Sequence, residues 1–131
     1  MPTQLKTIPV LGVPVACTDY EGGLRETERL IREESPVAIS ACNTHIVAEA
    51  RSDPGFNAVM QQFDVILPDG MPVVWMMNRA GAGLRDRVYG PYFMRYALEN
   101  APRPWRHFFF GSTETCLDVR PPRGDVKHIP V

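Results

Sequence analysis

Short apolar runs alternate with stretches whose apolar positions repeat at helical spacing. The runs predict strands at Val37–Ser40, Val65–Leu67 and Arg106–Phe110. Within residues 8–17 they predict two further short strands around a turn at Leu11-Gly12. The helical spacing predicts helices from Thr18 or Asp19 to about Glu34, from Asn43 or Thr44 to about Arg51, after Asp53-Pro54, over Met71–Ala80 and Gly90–Asn100, and from Thr113 onward. This order predicts an α/β fold with a mostly parallel sheet and helices on its faces.

Three of the predicted helices carry apolar side chains on one side, and we expect these side chains to face the core. They are Leu24, Leu30 and Ile31, then Phe56, Val59, Met60 and Phe63, and finally Phe93, Tyr96 and Ala97. The pattern changes after Asp118, because the tandem proline Pro121-Pro122 ends the helix that begins at Thr113. We therefore expect one domain over residues 1–118 and an irregular proline-rich tail over residues 119–131.

Composition narrows the class of protein. The chain has 131 residues, enough for one domain with its own core, and a formal net charge of −1, which gives no electrostatic basis for nucleic-acid binding. The three cysteines form no CxxC pair, which favours a reducing compartment. The histidines lack metal-ligand spacing, and neither a secretory signal nor an apolar run of about 20 residues is present. We expect no metal or cofactor, and a cytoplasmic location with attachment to a membrane surface left open.

Asp69 is the first candidate for chemistry. It follows the buried strand Val65–Leu67, which Pro68 ends because proline cannot donate to a sheet ladder, and it precedes the helix that begins at Met71. Ligands bind at this edge of open α/β sheets. Taken alone, the position suits a helix cap better than a catalytic carboxylate, because Asp is a preferred cap residue.

Three further features are predicted near the same edge, and each also has an ordinary structural role. Asn43 follows the preceding strand, and taken alone it suits a helix cap better than a binding residue. Arg87 lies in the loop after the Met71 helix, where an exposed surface arginine is the simpler interpretation. Gly111-Ser112-Thr113 joins a strand to a helix N-terminus, where backbone N–H groups are able to hold a phosphate. Taken alone, this segment suits an ordinary turn between strand and helix better. Together they suit a phosphorylated ligand and a proton transfer.

A dinucleotide-binding fingerprint is absent from the sequence. The run Gly81-Ala82-Gly83 begins like GxGxxG, but it lacks the third glycine and follows a predicted helix instead of a strand. This argues against an α/β oxidoreductase.

The chain resembles the WecG/TagA/CpsF glycosyltransferases over roughly residues 8–118. The matching segments, in family order, are Val10–Val15, Asn43, Ala50–Pro54, Leu67–Met71, Arg87–Pro91 and Phe108–Gly111. The resemblance implies a Rossmann-like fold that is incomplete relative to the family, with residues 1–118 as the N-terminal part of a glycosyltransferase domain. It also implies inverting transfer of an N-acetylmannosamine-type sugar or related hexose from a UDP-sugar to a polyprenyl-diphosphate-linked saccharide, in cell-surface polysaccharide synthesis.

The resemblance assigns roles to individual residues. It implies that Asp69 is the general base that takes the proton of the acceptor hydroxyl, and that Arg87 neutralises charge on the departing diphosphate. The substrate-binding residues that we expect are Asn43, Gly70, Gly90, Gly111 and Ser112.

The sequence departs from the family pattern in two places. Family members usually carry Thr at the position of Ala41, and they continue beyond Gly111 with further strands and a basic segment that contacts the membrane. We therefore expect a truncation or frameshift near residues 117–119. The alternative function is a catalytically inactive remnant that folds, or forms a homo-oligomer, without turnover.

Overall fold

The computed structural model describes residues 3–33, 36–111 and 126–129. The strands are β1 (Thr7–Val10), β2 (Val13–Ala16), β3 (Ile39–Cys42), β4 (Val65–Pro68), β5 (His107–Phe110) and β6 (Val126–Ile129). The helices are α1 (Tyr20–Arg32), α2 (Thr44–Ser52), α3 (Pro54–Met60), α4 (Met71–Arg79) and α5 (Gly90–Asn100). The chain divides into two compact units, Met1–Phe93 and Met94–Val131. In the part of the chain that is described, no helix combines the length and the apolar character needed to cross a bilayer.

The first unit begins with a tight hairpin. β1 and β2 pair antiparallel, with Thr7 opposite Ala16 and Val10 opposite Val13. The two residues between the strands have positive φ angles, 48° at Leu11 and 86° at Gly12. Two-residue turns of this kind match the twist of the strands that they join. The prediction of two strand pieces around this turn is confirmed.

β3 and β4 form a parallel pair in the same unit. Ile39 lies opposite Val65 and Cys42 opposite Pro68, and every residue of β4 is buried. The strand begins at Ile39 and not at Val37, because Asp64 binds the backbone of Ala38. The Ala38 N–H donates to the Asp64 carboxylate at 2.8 Å.

The fold class predicted from the sequence is confirmed in its coarse form. The described residues form a mixed α/β structure with one antiparallel and two parallel strand pairs, each a separate two-stranded sheet. β2 also contacts β4, and α4 contacts β1. A single Rossmann-like sheet is not seen in these residues and stays a prediction.

The core of the first unit joins the hairpin, the parallel pair and helices α2, α3 and α4. Its buried members are Ile8, Val10, Val13, Val15, Cys42, Val47, Ala50, Met60, Ile66, Val73 and Met77. Leu24, Leu30 and Met60 are buried as predicted, but Ile31 is 41% exposed and Val59 is 52% exposed. The prediction was wrong for these two side chains: successive helical residues lie about 100° apart, and of each neighbouring pair only Leu30 and Met60 face the core.

The second unit contains the end of α5 and a strand pair. β5 pairs parallel with β6, with His107 opposite Val126 and Phe110 opposite Ile129. β6 lies within the residues for which a proline-rich tail is expected, and the sequence pattern did not predict its pairing. The division at residues 118 and 119 stays a prediction, and the helix predicted from Thr113 lies outside the described residues.

Candidate active site at the end of β4

Asp69 lies directly after β4 and does not cap the following helix. Its backbone N–H donates to the Cys42 carbonyl at 3.1 Å, so the residue continues the contact between β3 and β4. The N-cap of α4 is Gly70, with φ of 87°, and no side chain bonds the first turn. A non-glycine residue rarely adopts this φ. The cap interpretation of Asp69 is therefore wrong.

The Asp69 carboxylate instead binds the start of α5. Its Oδ2 accepts a hydrogen bond from the Gly90 N–H at 3.2 Å. The side chain is half-buried. A backbone donor on a second element thus orients a carboxylate that still reaches solvent.

Each of the two residues before Gly90 donates its own backbone N–H to a different element. The Val88 N–H donates to the Pro68 carbonyl at 2.7 Å. The Tyr89 N–H donates to the Tyr20 hydroxyl at 3.1 Å, across 69 positions of sequence. The segment from Val88 to Gly90 is therefore fixed across the end of β4 by bonds to β4, to α1 and to Asp69.

Gly90 allows this segment to approach β3 closely. A Cβ atom at Gly90 would lie 3.0 Å from the Cβ of Ala41 and 3.5 Å from Asp69 Oδ2. The first distance is shorter than the usual separation of about 3.5–4.0 Å between carbon atoms in contact. The close approach explains why a residue without a side chain stands at the start of α5.

Cys42 lies beside Asp69 but is not activated. Burial, and then the negative charge of Asp69, raise the pKa of the Cys42 thiol to about 11. The thiolate is the nucleophilic form of cysteine. Cys42 therefore stays a protonated, inert thiol near neutral pH.

Asn43 lies at the same edge as Asp69 and caps α2. Because Cys42 pairs with Pro68, Asn43 and Asp69 are the next residues of two neighbouring parallel strands. The Asn43 Oδ1 accepts a hydrogen bond from the Ile46 N–H at 3.0 Å, and the side chain is exposed. Its cap role is confirmed, and its role in substrate binding stays a prediction.

Arg87 precedes the segment that crosses the end of β4. Its side chain is exposed, and its guanidinium lies over the ring of Tyr89, 4.9 Å from the ring centroid. Its backbone N–H donates to the Asp86 carboxylate at 2.7 Å. The structure thus brings Arg87 to the end of the sheet that holds Asp69 and Asn43, as expected.

Two predicted substrate-binding residues, Gly111 and Ser112, stay predictions. Gly111 belongs to the second unit, where it has φ of 111°. Ser112 lies outside the described residues. Across the described ranges, no group of three or more His, Cys, Asp or Glu side chains is arranged to hold a metal ion.

Tyr20 is the residue that sequence reasoning missed. It is the first residue of α1, directly after the Asp19 cap, and its hydroxyl binds the Tyr89 N–H. Local patterns identify caps and core positions, but they carry no signal for a side chain that bonds a backbone group so distant in sequence.

Comparison with known proteins places the chain in a family. Residues 8–119 match the model of the Glycosyl transferase WecG/TagA/CpsF family. The chain is also 32% identical over 93 residues to a Bacillus spizizenii protein named N-acetylglucosaminyldiphosphoundecaprenol N-acetyl-beta-D-mannosaminyltransferase. That match covers 70% of this chain and 36% of the Bacillus protein, so the chain spans well under two thirds of its relative's length. The resemblance inferred from the sequence is confirmed: this chain belongs to the Glycosyl transferase WecG/TagA/CpsF family.

Proposed function

We propose that the protein is an inverting glycosyltransferase in which Asp69 is the general base. The donor is a UDP-sugar that carries N-acetylmannosamine or a related hexose, and the acceptor is a saccharide linked to a polyprenyl diphosphate. The proposal rests on the position and the contacts of Asp69. Its carboxylate lies at the end of β4, is held by the Gly90 N–H and takes no part in capping α4.

The proposed reaction is a single displacement at the anomeric carbon. The acceptor hydroxyl oxygen forms a bond to that carbon while its proton passes to Asp69. The bond from the anomeric carbon to the diphosphate oxygen breaks, and UDP leaves with the electron pair. Attack from the face opposite the leaving group inverts the configuration. A positioned carboxylate contributes about 10²–10⁴-fold to a rate by this kind of proton transfer.

The surroundings of Asp69 support this role. The hydrogen bond from Gly90 fixes the carboxylate, and half-burial leaves it accessible to a substrate hydroxyl. Arg87 lies in the segment that leads to Gly90, and a guanidinium there stabilises the charge that grows on the leaving diphosphate. In this proposal Asn43, Gly70 and Gly90 line the substrate pocket, and Gly111 and Ser112 complete it.

The place of action follows from the acceptor. The name of the Bacillus relative describes a substrate on undecaprenyl diphosphate, which is a membrane lipid. We extend this to the present chain and propose that it works in the cytoplasm, as a peripheral protein on the inner face of the cell membrane. The part that would contact the membrane is the basic C-terminal segment of the family.

A transfer assay with defined substrates tests the proposal. The purified chain is incubated with UDP-N-acetylmannosamine and with N-acetylglucosamine linked to a short polyprenyl diphosphate. We expect UDP and a lipid-linked disaccharide in equal amounts, and little UDP when the acceptor is omitted. Absence of the disaccharide with both substrates present would contradict the proposal and would favour a non-catalytic protein.

A further inference from the structure

A cleft opens beside Arg87 in the first unit. Its volume is about 530 Å³, within the range of about 300–1,000 Å³ that is usual for ligand sites. One wall is the approach to α1, with Asp19 and Tyr20, and the other is the loop that contains Arg85 and Arg87. We propose that this cleft binds a sugar diphosphate, and that Arg85 is a second diphosphate-binding residue beside Arg87.

The loop that carries the two arginines is held on both sides. On one side, Asn78 bonds Leu84 twice: its amide N–H donates to the Leu84 carbonyl at 2.9 Å, and its Oδ1 accepts from the Leu84 N–H at 2.6 Å. On the other side, the Val88 N–H donates to the Pro68 carbonyl at 2.7 Å. Arg85, Asp86 and Arg87 are the only residues between these fixed points. A ligand in the cleft therefore meets two arginine residues on a short loop that is held at both ends.

The charged side chains in the cleft suit a ligand that has an anionic part and a neutral part with hydroxyl groups. Within the described ranges, neither Arg85 nor Arg87 forms an ion pair. Two carboxylates also line the cleft, and each already accepts a backbone hydrogen bond: Asp19 from Gly22 at 2.7 Å and Asp86 from Arg87 at 2.7 Å. A guanidinium pairs with phosphate oxygens through two parallel bonds, whereas carboxylates accept hydrogen bonds from sugar hydroxyls.

The apolar part of the lining fits the same ligand. Leu5, Leu84 and Tyr20 border the cleft together with the charged residues. A sugar ring has an apolar face of C–H groups and an edge of hydroxyls, so it suits a cleft of mixed character. A simple inorganic anion would leave these apolar walls without a partner.

This inference rests on the proposed function, in which donor and acceptor both contain a sugar diphosphate. Arg87 lines the cleft and lies three residues before Gly90, which binds Asp69, whereas Asp69 itself is not one of the lining residues. Arg85 was not among the residues predicted from the sequence. The chemistry does not by itself distinguish a nucleotide sugar from a lipid-linked sugar, and the experiment is designed to do so.

Binding measurements on the full chain test the role of Arg85. Calorimetric titrations use three probes: inorganic pyrophosphate, UDP-N-acetylmannosamine, and N-acetylglucosamine linked to farnesyl diphosphate. We expect Arg85→Gln to weaken at least one sugar diphosphate about tenfold, as the loss of a charge-assisted hydrogen bond implies. The matched control is Arg51→Gln, which removes an exposed arginine from the last turn of α2 and is expected to change no affinity.

The pattern across the probes identifies the source of the ligand. A loss limited to the nucleotide sugar assigns the cleft to the donor, and a loss limited to the lipid-linked sugar assigns it to the acceptor. The inference is overturned if the wild-type chain binds none of the probes, or if Arg85→Gln behaves like Arg51→Gln with every probe while its circular dichroism spectrum stays native. Because binding is measured without turnover, an inactive chain that loses affinity in Arg85→Gln refutes the proposed function and not this site.

Discussion

Replacing Gly90 with alanine tests the close contact between β3, Asp69 and the start of α5. The added Cβ would lie 3.0 Å from the Cβ of Ala41 and 3.5 Å from Asp69 Oδ2. Gly90 is not among the glycines with positive φ, so the backbone itself accepts alanine. Any loss of stability then comes from crowding and not from an unsuitable φ.

The size of the effect follows from two opposing contributions. Carbon atoms in contact lie about 3.5–4.0 Å apart, so the two methyl groups must separate by about 0.5 Å or more. Ala41 has no side-chain torsion that would move its methyl group aside, and the backbone must shift. Overpacking of this kind costs about 1–3 kcal/mol. The loss of freedom in the unfolded chain returns about 0.4–1 kcal/mol, so we expect Gly90→Ala to destabilise by about 1–2 kcal/mol.

A double-mutant cycle with Ala41→Gly isolates the contact. Free energies of unfolding are measured by urea denaturation for the wild type, Gly90→Ala, Ala41→Gly and the double variant. Removing the Ala41 methyl group makes room for the new one, so we expect a coupling of at least about 1 kcal/mol. Additive effects, or a Gly90→Ala variant more stable than the wild type, would show that the two residues are not in contact and would refute the geometry of the site.

Two further substitutions test other parts of the first unit. Tyr20→Phe removes the acceptor of the Tyr89 N–H, so we expect a loss of about 0.5–1.5 kcal/mol in the free energy of unfolding and faster hydrogen exchange at that amide. The control is Tyr92→Phe, which changes an exposed ring. Unchanged exchange at Tyr89 in Tyr20→Phe would contradict the hydrogen bond. The hydrogen bond from Arg29, opposed by burial, lowers the pKa of Glu26 from 4.5 to about 2, so Glu26 stabilises the fold above pH 4.5 and this contribution is lost as the pH falls toward 2. We expect Glu26→Gln to remove about 1–3 kcal/mol at pH 7 and to flatten the acid limb of the stability curve; an unchanged limb would contradict this account.

The sequence predicted the parts of the fold that depend on local signals. Asp19, Asn43 and Asp53 each cap a helix, because a short polar side chain before a helix bonds the nearby N–H groups wherever the chain folds. The hairpin turn at Leu11-Gly12 is likewise a two-residue signal. Such features need only a few neighbouring residues, so they are visible in the sequence.

The features that the sequence did not predict depend on residues far apart in the chain. The start of β3 is set by Asp64, which binds Ala38 across 26 positions. The pairing of β6 with β5 requires a partner strand and has no local pattern. Asp69 satisfied every local criterion for a cap, yet Gly70 takes that place and the carboxylate bonds Gly90, 21 positions away. The structure thus contradicts the cap that the spacing of Asp69 favoured, and the catalytic role that the family resemblance implies stays a prediction.

The proposed function depends on the Asp69 carboxylate, which acts as a base and is held by Gly90. Asp69→Asn keeps an oxygen that accepts the Gly90 hydrogen bond but removes the basic group. Asp53→Asn is the matched control, because asparagine caps α3 as well as aspartate does. The two variants are compared in thermal unfolding and in sugar transfer.

The most direct measurement is the rate of transfer by Asp69→Asn under saturating substrates. We expect turnover to fall about 10²–10⁴-fold with a melting temperature close to that of the wild type, while Asp53→Asn keeps its activity. Turnover by Asp69→Asn equal to that of the wild type would contradict the claim that Asp69 is the general base.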